Sequence, residues 1–165
     1  MRPELLTHSN IPKPLHGLNP RSLLGQEWWD KKRKEAAMKE NYHCWACGVS
    51  AKDAKYHSWL EGHEVYTYDY ERGTGTLSEI VSLCHSCHNF IHSGRLKILL
   101  KKREISKDKF EDIMSHGRFI LQEHNLTPIV PLDIVADWDK WVLIIDGEIY
   151  PGKFKNYEEW ENYYR

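Results

Sequence analysis

The chain of 165 residues carries a formal net charge of −1 at pH 7 and is 41% hydrophobic, which predicts one globular domain with small additions. A charge this close to zero excludes the global basic field of many nucleic-acid-binding proteins, so a contact with DNA must be local. Apolar runs such as Trp141–Ile145 are far shorter than the ~20 residues of a membrane span, and the N-terminus has no apolar signal region. We therefore expect a cytoplasmic protein without membrane contact.

Residues 1 to 25 are rich in proline and show no apolar period. The prolines of this segment are Pro3, Pro12, Pro14 and Pro20. Because proline favours polyproline-like or turn conformations, the segment is predicted to be an extended N-terminal arm. Such an arm can pack across the domain, stay mobile, or contact a second copy of the chain or another protein.

The segment from Gln26 to Glu40 has the composition of a helix. Four consecutive cations lie within it: Lys31, Lys32, Arg33 and Lys34. A run of this kind is usually a solvated face, and the functional alternative is contact with DNA phosphates.

All cysteines of the chain lie in two C-x2-C pairs, Cys44 with Cys47 and Cys84 with Cys87. Two such pairs supply the four thiolates that enclose a tetrahedral zinc ion. The alternatives are two disulfides or four buried thiols, and the reducing cytosol favours metal. Gly48, directly after the first pair, permits the tight turn that a zinc knuckle needs.

Three histidines indicate a different kind of metal site. His88 and His92 follow the second cysteine pair and are four residues apart, so on a helix they share one face, and His63 could supply a third imidazole. Histidine ligands with open positions are typical of catalytic sites, whereas four thiolates saturate zinc. The other nearby histidines are not expected to be metal ligands. His57 is expected to be packed or hydrogen bonded, and His85 to be exposed rather than catalytic.

Between the cysteine pairs, a hairpin is predicted from Leu60–Tyr70 and Thr76–Leu83, which are rich in β-branched and aromatic residues around a glycine-containing turn. The helix that carries the two histidines is expected to begin near Cys84 or His85. It is expected to end near Gly94, as a left-handed cap.

The rest of the chain is predicted to brace this core. Ser106 caps a helix over residues 107 to 124, residues 125 to 131 form a linker, a hairpin turns at Asp146-Gly147, and Asn156 caps a short helix. The expected division is an arm at 1–25, a zinc domain with flanking helices at 26–124, and a C-terminal appendage at 125–165 packed on the domain or free to bind a partner.

Residues 44 to 92 resemble the zinc-bound HNH (ββα-metal) nucleases. The resemblance rests on the order C-x2-C, then Leu60-Glu61-Gly62-His63-Glu64-Val65, then L-C-x2-C-H-x3-H. It implies an α+β fold, with a ββα-metal core stapled by a four-cysteine structural zinc, flanking helices and a small C-terminal hairpin-helix appendage.

The resemblance also implies the roles of single residues. His63, His88 and His92 match the ligands of a catalytic divalent metal, which is Mg²⁺, Mn²⁺, Ni²⁺ or Zn²⁺. Glu64 occupies the position of the general base, which is histidine in the family, and Glu79 stands where the family usually has asparagine.

An alternative register makes His63 the base and puts Gly62 at a ligand position. Glu64 is the preferred base, because Val65 then fills the aliphatic position that follows it in the family.

The implied activity is that of a metal-dependent endonuclease acting on DNA, of the kind found in phages and mobile elements. Candidate phosphate contacts are Lys31, Lys32, Arg33, Lys34 and Arg95. The alternative is an inactive HNH-like zinc module that binds DNA or a protein, and a third class is a structural or inhibitory protein without DNA affinity.

Overall fold

The computed structural model describes residues 1–7, 11–129 and 135–165. These residues form a mixed α+β fold with six α-helices and a four-stranded sheet. None of the helices in these ranges is long and apolar enough to cross a membrane.

The chain divides into two compact units that alternate along the sequence. The first unit comprises Met1–His8, Arg33–His63 and Ile80–Ile129, and the second comprises Ser9–Lys32, Glu64–Glu79 and Val130–Arg165.

The predicted helices and hairpins occur within a few residues of their expected bounds. The helices are α1 (Pro20–Leu24), α2 (Gln26–Lys39), α3 (His85–Ile91), α4 (Ser93–Lys101), α5 (Lys107–Glu123) and α6 (Tyr157–Tyr164). The strands are β1 (Glu61–Asp69), β2 (Thr74–Leu83), β3 (Val142–Ile145) and β4 (Glu148–Pro151). Short 3₁₀ helices cover Pro3–Thr7, Lys13–Leu15, Ala51–Asp53 and Trp138–Lys140. Both predicted N-caps are confirmed, since Ser106 accepts from the Lys109 amide and Asn156 from the Glu159 amide.

The sheet has the strand order β1-β2-β3-β4. The turn at residues 70–73 is short enough only for an antiparallel hairpin of β1 and β2. β3 pairs with β2 in parallel, from Thr74 opposite Val142 to Thr76 opposite Ile144. β4 returns antiparallel through Asp146 and Gly147, whose φ angles of 50° and 86° suit a tight hairpin turn. The C-terminal hairpin therefore extends the predicted sheet, which the sequence pattern did not indicate.

The predicted extended arm contains three short helical segments instead. Pro3–Thr7 buries Leu5 and Leu6 in the first unit. In the second unit, Pro20 is the first residue of α1, where the missing amide hydrogen costs nothing, and the Asn19 side chain caps that helix. These prolines therefore begin helical turns rather than extending the chain. Residues 8–10 of the arm and 130–131 of the predicted linker lie outside the described residues.

The helix that carries the two histidines ends differently from the prediction. α3 stops at Ile91, His92 departs from helical geometry with ψ 36°, and α4 begins at Ser93. Gly94 lies in the first turn of α4 and does not have the positive φ of a left-handed cap. The prediction of a glycine cap was wrong, because the chain turns at His92 and immediately resumes a helix.

The second unit has an aromatic and aliphatic core. Its fully buried members are Leu15, Trp141, Leu143 and Ile145, and Tyr66, Tyr68 and Tyr70 of β1 pack against them. The burial of Tyr66 and Tyr68 raises their pKa values, with a smaller contribution from the charge of Glu64. These tyrosines therefore pack in a core, as predicted.

A Gly117→Ala substitution is expected to destabilise the chain, because this glycine of α5 lies directly against the Phe90 ring of α3. A Cβ atom at Gly117 would lie 2.2 Å from two ring carbons of the buried Phe90. Overpacking of this kind costs ~1–3 kcal/mol, against about 1 kcal/mol of gained helix propensity. Gly94→Ala is the matched control, since nothing lies within 4 Å of its Cβ position. Urea unfolding should give a lower free energy of unfolding for Gly117→Ala and a slightly higher one for Gly94→Ala. Equal increases in the two variants would contradict the packing argument.

Acid is expected to weaken the packing of α6 through His16. The Nε2–H of His16 donates to the Ile11 carbonyl at 2.8 Å, and Nδ1 accepts from the Trp160 indole at 3.0 Å. Burial lowers the pKa of His16, with a further contribution from Lys13, so this histidine contributes stability above its unfolded pKa of about 6.5 that is lost as the pH falls. The melting temperature of the wild type should fall more steeply between pH 7 and pH 5 than that of His16→Gln; parallel profiles would refute this role.

Candidate metal centre

The four cysteines form one compact cluster in the first unit. Their Sγ atoms all lie within 4.8 Å of one another, and those of Cys47 and Cys84 are 3.8 Å apart. A tetrahedron with Zn–S bonds of about 2.3 Å has edges of about 3.8 Å. All four are free cysteines, so the alternative of two disulfides does not apply to this structure. The predicted four-thiolate cluster can hold a structural metal such as zinc.

Local backbone geometry presents each pair of thiols. In the first knuckle, the Gly48 amide donates to the Cys44 carbonyl at 2.8 Å, and the Cys44 amide donates to the Val49 carbonyl at 2.8 Å. Gly48 has a φ of 75°, which confirms the need for glycine in this turn. In the second knuckle, Cys84 is the N-cap residue of α3 and Cys87 lies in its first turn. α3 therefore begins with two thiols, carries His88 directly after them, and is followed by His92.

A residue outside the predicted motif also contacts the thiols. His116 of α5 lies with Nε2 3.4 Å from the Cys87 Sγ atom. Hydrogen bonding to Cys47 raises the pKa of His116 and outweighs the effect of burial. This contact joins residues 29 positions apart on different helices, so no local sequence pattern could have indicated it.

Replacing His116 with alanine is expected to weaken zinc binding. An imidazole N–H next to a thiolate stabilises the negative charge of the ligand, and removal of such outer partners typically lowers metal affinity ~10–100-fold. Competition with a chromophoric chelator measures the change. His124→Ala is the control, because His124 is an exposed residue at the end of the same helix. Equal zinc affinity of the two variants would show that the contact with Cys87 has no effect on the metal.

The three predicted histidine ligands are brought together in the first unit. His63 lies on β1, His88 on α3 and His92 directly after α3. Their candidate ligand atoms lie within 4.8 Å of one another, and the ring centroids of His63 and His92 are 5.0 Å apart. Burial, with the charges of His88 and Arg95, lowers the pKa of His92 to about 4, so its imidazole is neutral at pH 7 and able to bind a metal.

Glu61, the first residue of β1, contacts three histidines with its two carboxylate oxygens. Oε1 lies 3.0 Å from His57 Nε2 and 2.7 Å from His85 Nδ1, and Oε2 lies 2.5 Å from His88 Nδ1. The contact with His88 is close but is not an aligned hydrogen bond, since His88 Nδ1 has no hydrogen-bond partner among the described residues. Burial tends to raise the pKa of Glu61, but the neighbouring histidines, chiefly His88, outweigh it and lower the pKa to about 2. Glu61 is therefore a carboxylate throughout the neutral pH range.

The position of His85 differs from the expectation, whereas that of His57 agrees with it. His85 is not an exposed residue: it is half-buried and, with His57 and Glu61, forms a third group whose candidate ligand atoms lie within 4.8 Å. His57 is packed and hydrogen bonded, as expected, because its ring stacks on Trp59 with centroids 3.8 Å apart. The reason for the difference at His85 is that the first turn of α3 directs this side chain toward the start of β1.

The remaining predicted site residues lie on strands and helix faces. Glu64 follows His63 on β1 and is half-buried, but it is not part of the group that His63, His88 and His92 form. Glu79 is a half-buried residue of β2. Arg95 is an exposed residue of α4 close enough to His92 to affect its pKa. The basic run lies on α2, where Lys31 and Lys34 are exposed and Lys32 and Arg33 half-buried. Lys32 Nζ lies over the Trp28 ring at 5.8 Å, a contact within the second unit.

The chain partly resembles a curated protein. The anaredoxin of Nostoc sp. (strain PCC 7120 / SAG 25.82 / UTEX 2576) is 32% identical to it over 68 residues, which are 41% of this chain and 80% of anaredoxin. No protein-family model matches the chain, and no solved structure matches it significantly. The similarity therefore covers most of a smaller protein and less than half of this one.

Proposed function

We propose that this chain, which belongs to the same family as anaredoxin, is a metal-dependent endonuclease that hydrolyses the phosphodiester bonds of DNA with an HNH-like ββα-metal site. The observation that carries the proposal is the group formed by His63, His88 and His92. These imidazoles converge from a β-hairpin and the helix after it, next to a four-thiolate cluster held by the same helix. A histidine site together with a saturated thiolate site is the combination that the resemblance to HNH nucleases implies.

The donor set fits a divalent metal. Three imidazoles that include a neutral His92 leave ligand positions open for substrate, which distinguishes this group from the cysteine cluster. A divalent ion bound there supplies Lewis-acid stabilisation of the charge that develops on the oxygens of a scissile phosphate. His63 is 4% exposed, so it would be the most buried of the three residues that hold the ion. Glu61 holds His88 in its orientation, as carboxylates commonly do for metal-bound histidines.

The other roles follow from chain position and charge. Glu64, next to His63 in the sequence, is the proposed general base that takes a proton from the attacking water. The exposed Arg95 in the first turn of α4 is the proposed phosphate contact nearest in sequence to His92, and the basic run of α2 offers further cations. Contacts of this kind are made to the backbone of DNA, so weak sequence preference is expected.

The test is cleavage of supercoiled plasmid by the purified full chain with Mg²⁺, Mn²⁺, Ni²⁺ or Zn²⁺. The proposal predicts metal-dependent nicking that His63→Ala abolishes and His124→Ala leaves unchanged, with the cysteine-bound metal retained in all proteins. Intact plasmid with every metal and a folded wild-type protein would refute the nuclease. Plasmid retardation in gels without cleavage would instead favour the inactive HNH-like module that binds DNA.

A second candidate function comes from the relative. The name anaredoxin points to redox chemistry in that protein, and a tetrahedral set of four thiolates binds iron as well as zinc. In this alternative, the four cysteines hold a redox-active iron and the chain transfers electrons. Metal analysis and the visible spectrum of freshly purified protein distinguish the two. Coloured protein with iron that is reversibly reduced would support the redox function, and colourless protein with one zinc in the cysteine site would exclude it.

A further inference from the structure

We propose that His57, Glu61 and His85 form an additional divalent-metal site of the zinc type, separate from both the cysteine cluster and the group of His63, His88 and His92. Three atoms face one another: His57 Nε2, His85 Nδ1 and Glu61 Oε1. Their separations are 3.0 Å between His57 and Glu61, 2.7 Å between His85 and Glu61, and 3.2 Å between the two histidines. Zinc bonds of about 2.0–2.1 Å to nitrogen or oxygen require ligand separations of about 3.3 Å, so small movements bring these atoms onto one ion.

The hydrogen bonds of His57 favour a cation at this point. His57 Nδ1 lies 2.9 Å from the Trp59 carbonyl oxygen, which can only accept, so Nδ1 carries the hydrogen. In the neutral ring, Nε2 then presents a lone pair toward a carboxylate oxygen at 3.0 Å and the other imidazole at 3.2 Å. A nitrogen lone pair and a carboxylate oxygen this close repel one another unless the hydrogen of His85 Nδ1 or a cation lies near both, and a divalent ion satisfies all three atoms at once. Two imidazoles and a carboxylate are a ligand set that zinc takes in catalytic sites, with a fourth position left open.

The surrounding residues hold the three ligands in place. The ring of His57 stacks on Trp59 with an interplanar angle of 6°. Tyr56 has a φ of 80°, which is strained for an aromatic residue, and its hydroxyl donates to Asp112 at 2.5 Å. The ring of Tyr56 meets that of His85 edge-on, with centroids 5.2 Å apart. A strained and anchored loop next to the ligands is typical of a pre-organised site.

The same carboxylate links this site to the group of three histidines. Glu61 directs Oε1 to His57 and His85, and Oε2 to His88. A metal on Oε1 would leave Oε2 free to keep its contact with His88. The ligand side chains are 12% (His57), 25% (Glu61) and 19% (His85) exposed, so an ion can enter from solvent. Two divalent ions can therefore lie on either side of one glutamate.

The test counts zinc in the full chain after equilibration with zinc and removal of the excess. The wild type is expected to hold one more zinc per chain than His57→Ala. The variant should keep the melting temperature and the cysteine-bound zinc of the wild type. His92→Ala separately probes the group of three histidines, and His124→Ala is the control for adventitious binding to an exposed imidazole. Unchanged zinc in His57→Ala overturns the new site, whereas unchanged zinc in His92→Ala counts only against the metal of the proposed nuclease.

Anomalous scattering at the zinc edge from crystals of the wild-type protein locates the ion directly. A peak within about 2.2 Å of His57 Nε2, His85 Nδ1 and Glu61 Oε1 is expected. The absence of a peak there in zinc-soaked crystals, with the cysteine site occupied, overturns the proposal even if a variant fails to fold. This readout does not depend on nuclease activity.

Discussion

Replacing Cys87 with serine is expected to unfold the first unit at temperatures where the wild type remains folded. The Cys87 side chain is fully buried among the other thiols, and a serine oxygen is a poor ligand for zinc. Structural zinc contributes about 10–16 kcal/mol in small zinc-binding peptides, which is comparable with the ~5–15 kcal/mol of a whole domain. Melting followed by circular dichroism, together with zinc content, measures the effect.

The control for this variant is His43→Ala, next to the first cysteine pair. His43 is exposed and contacts the backbone carbonyls of Glu40 and Asn41, so its replacement should cost about 1 kcal/mol or less. Chelation of zinc from the wild type should reproduce the unfolding caused by Cys87→Ser. A variant that has lost its zinc but melts like the wild type would show that the cysteine cluster does not stabilise the fold.

The parts of the centre that the sequence predicted are those encoded by local spacing. Two residues between paired cysteines, and three between His88 and His92, place ligands within about one turn of each other regardless of the rest of the fold. The alternation of β1 likewise indicated that His63 lies on a strand. Each of these patterns spans fewer than ten residues.

The contacts that the sequence did not predict join distant segments. Glu61 meets His85 across 24 residues, and His116 meets Cys87 across 29, because the β-hairpin and α5 return the chain to the start of α3. The residue types did not indicate these contacts, since glutamate at the start of a strand and histidine on an amphipathic helix are common in proteins. Topology rather than periodicity determines such neighbours, and only the folded chain reveals them.

The elements outside the metal centre were also predicted only as far as local sequence patterns allow. The C-terminal hairpin was predictable from Asp146-Gly147, but its parallel pairing with β2 depends on where residues 74–76 lie. The N-terminal prolines were ambiguous, because proline favours both extended chain and the first turn of a helix. Asn19, a good cap directly before Pro20, was the local signal that favoured a helix there.

Replacing Glu64 with glutamine is expected to lower the rate of metal-dependent DNA cleavage by about 10²–10⁴-fold, the usual contribution of a general base. Glutamine keeps the size of the side chain and removes its ability to accept a proton, so the zinc content and melting temperature should stay those of the wild type. Glu71→Gln, at an exposed carboxylate in the turn after β1, is the matched control and should cleave normally.

Metal content measured together with the cleavage rate separates loss of the base from loss of the metal. If Glu64→Gln cleaves at the wild-type rate with its metals retained, Glu64 is not the base, and the proton is accepted by another group of the site.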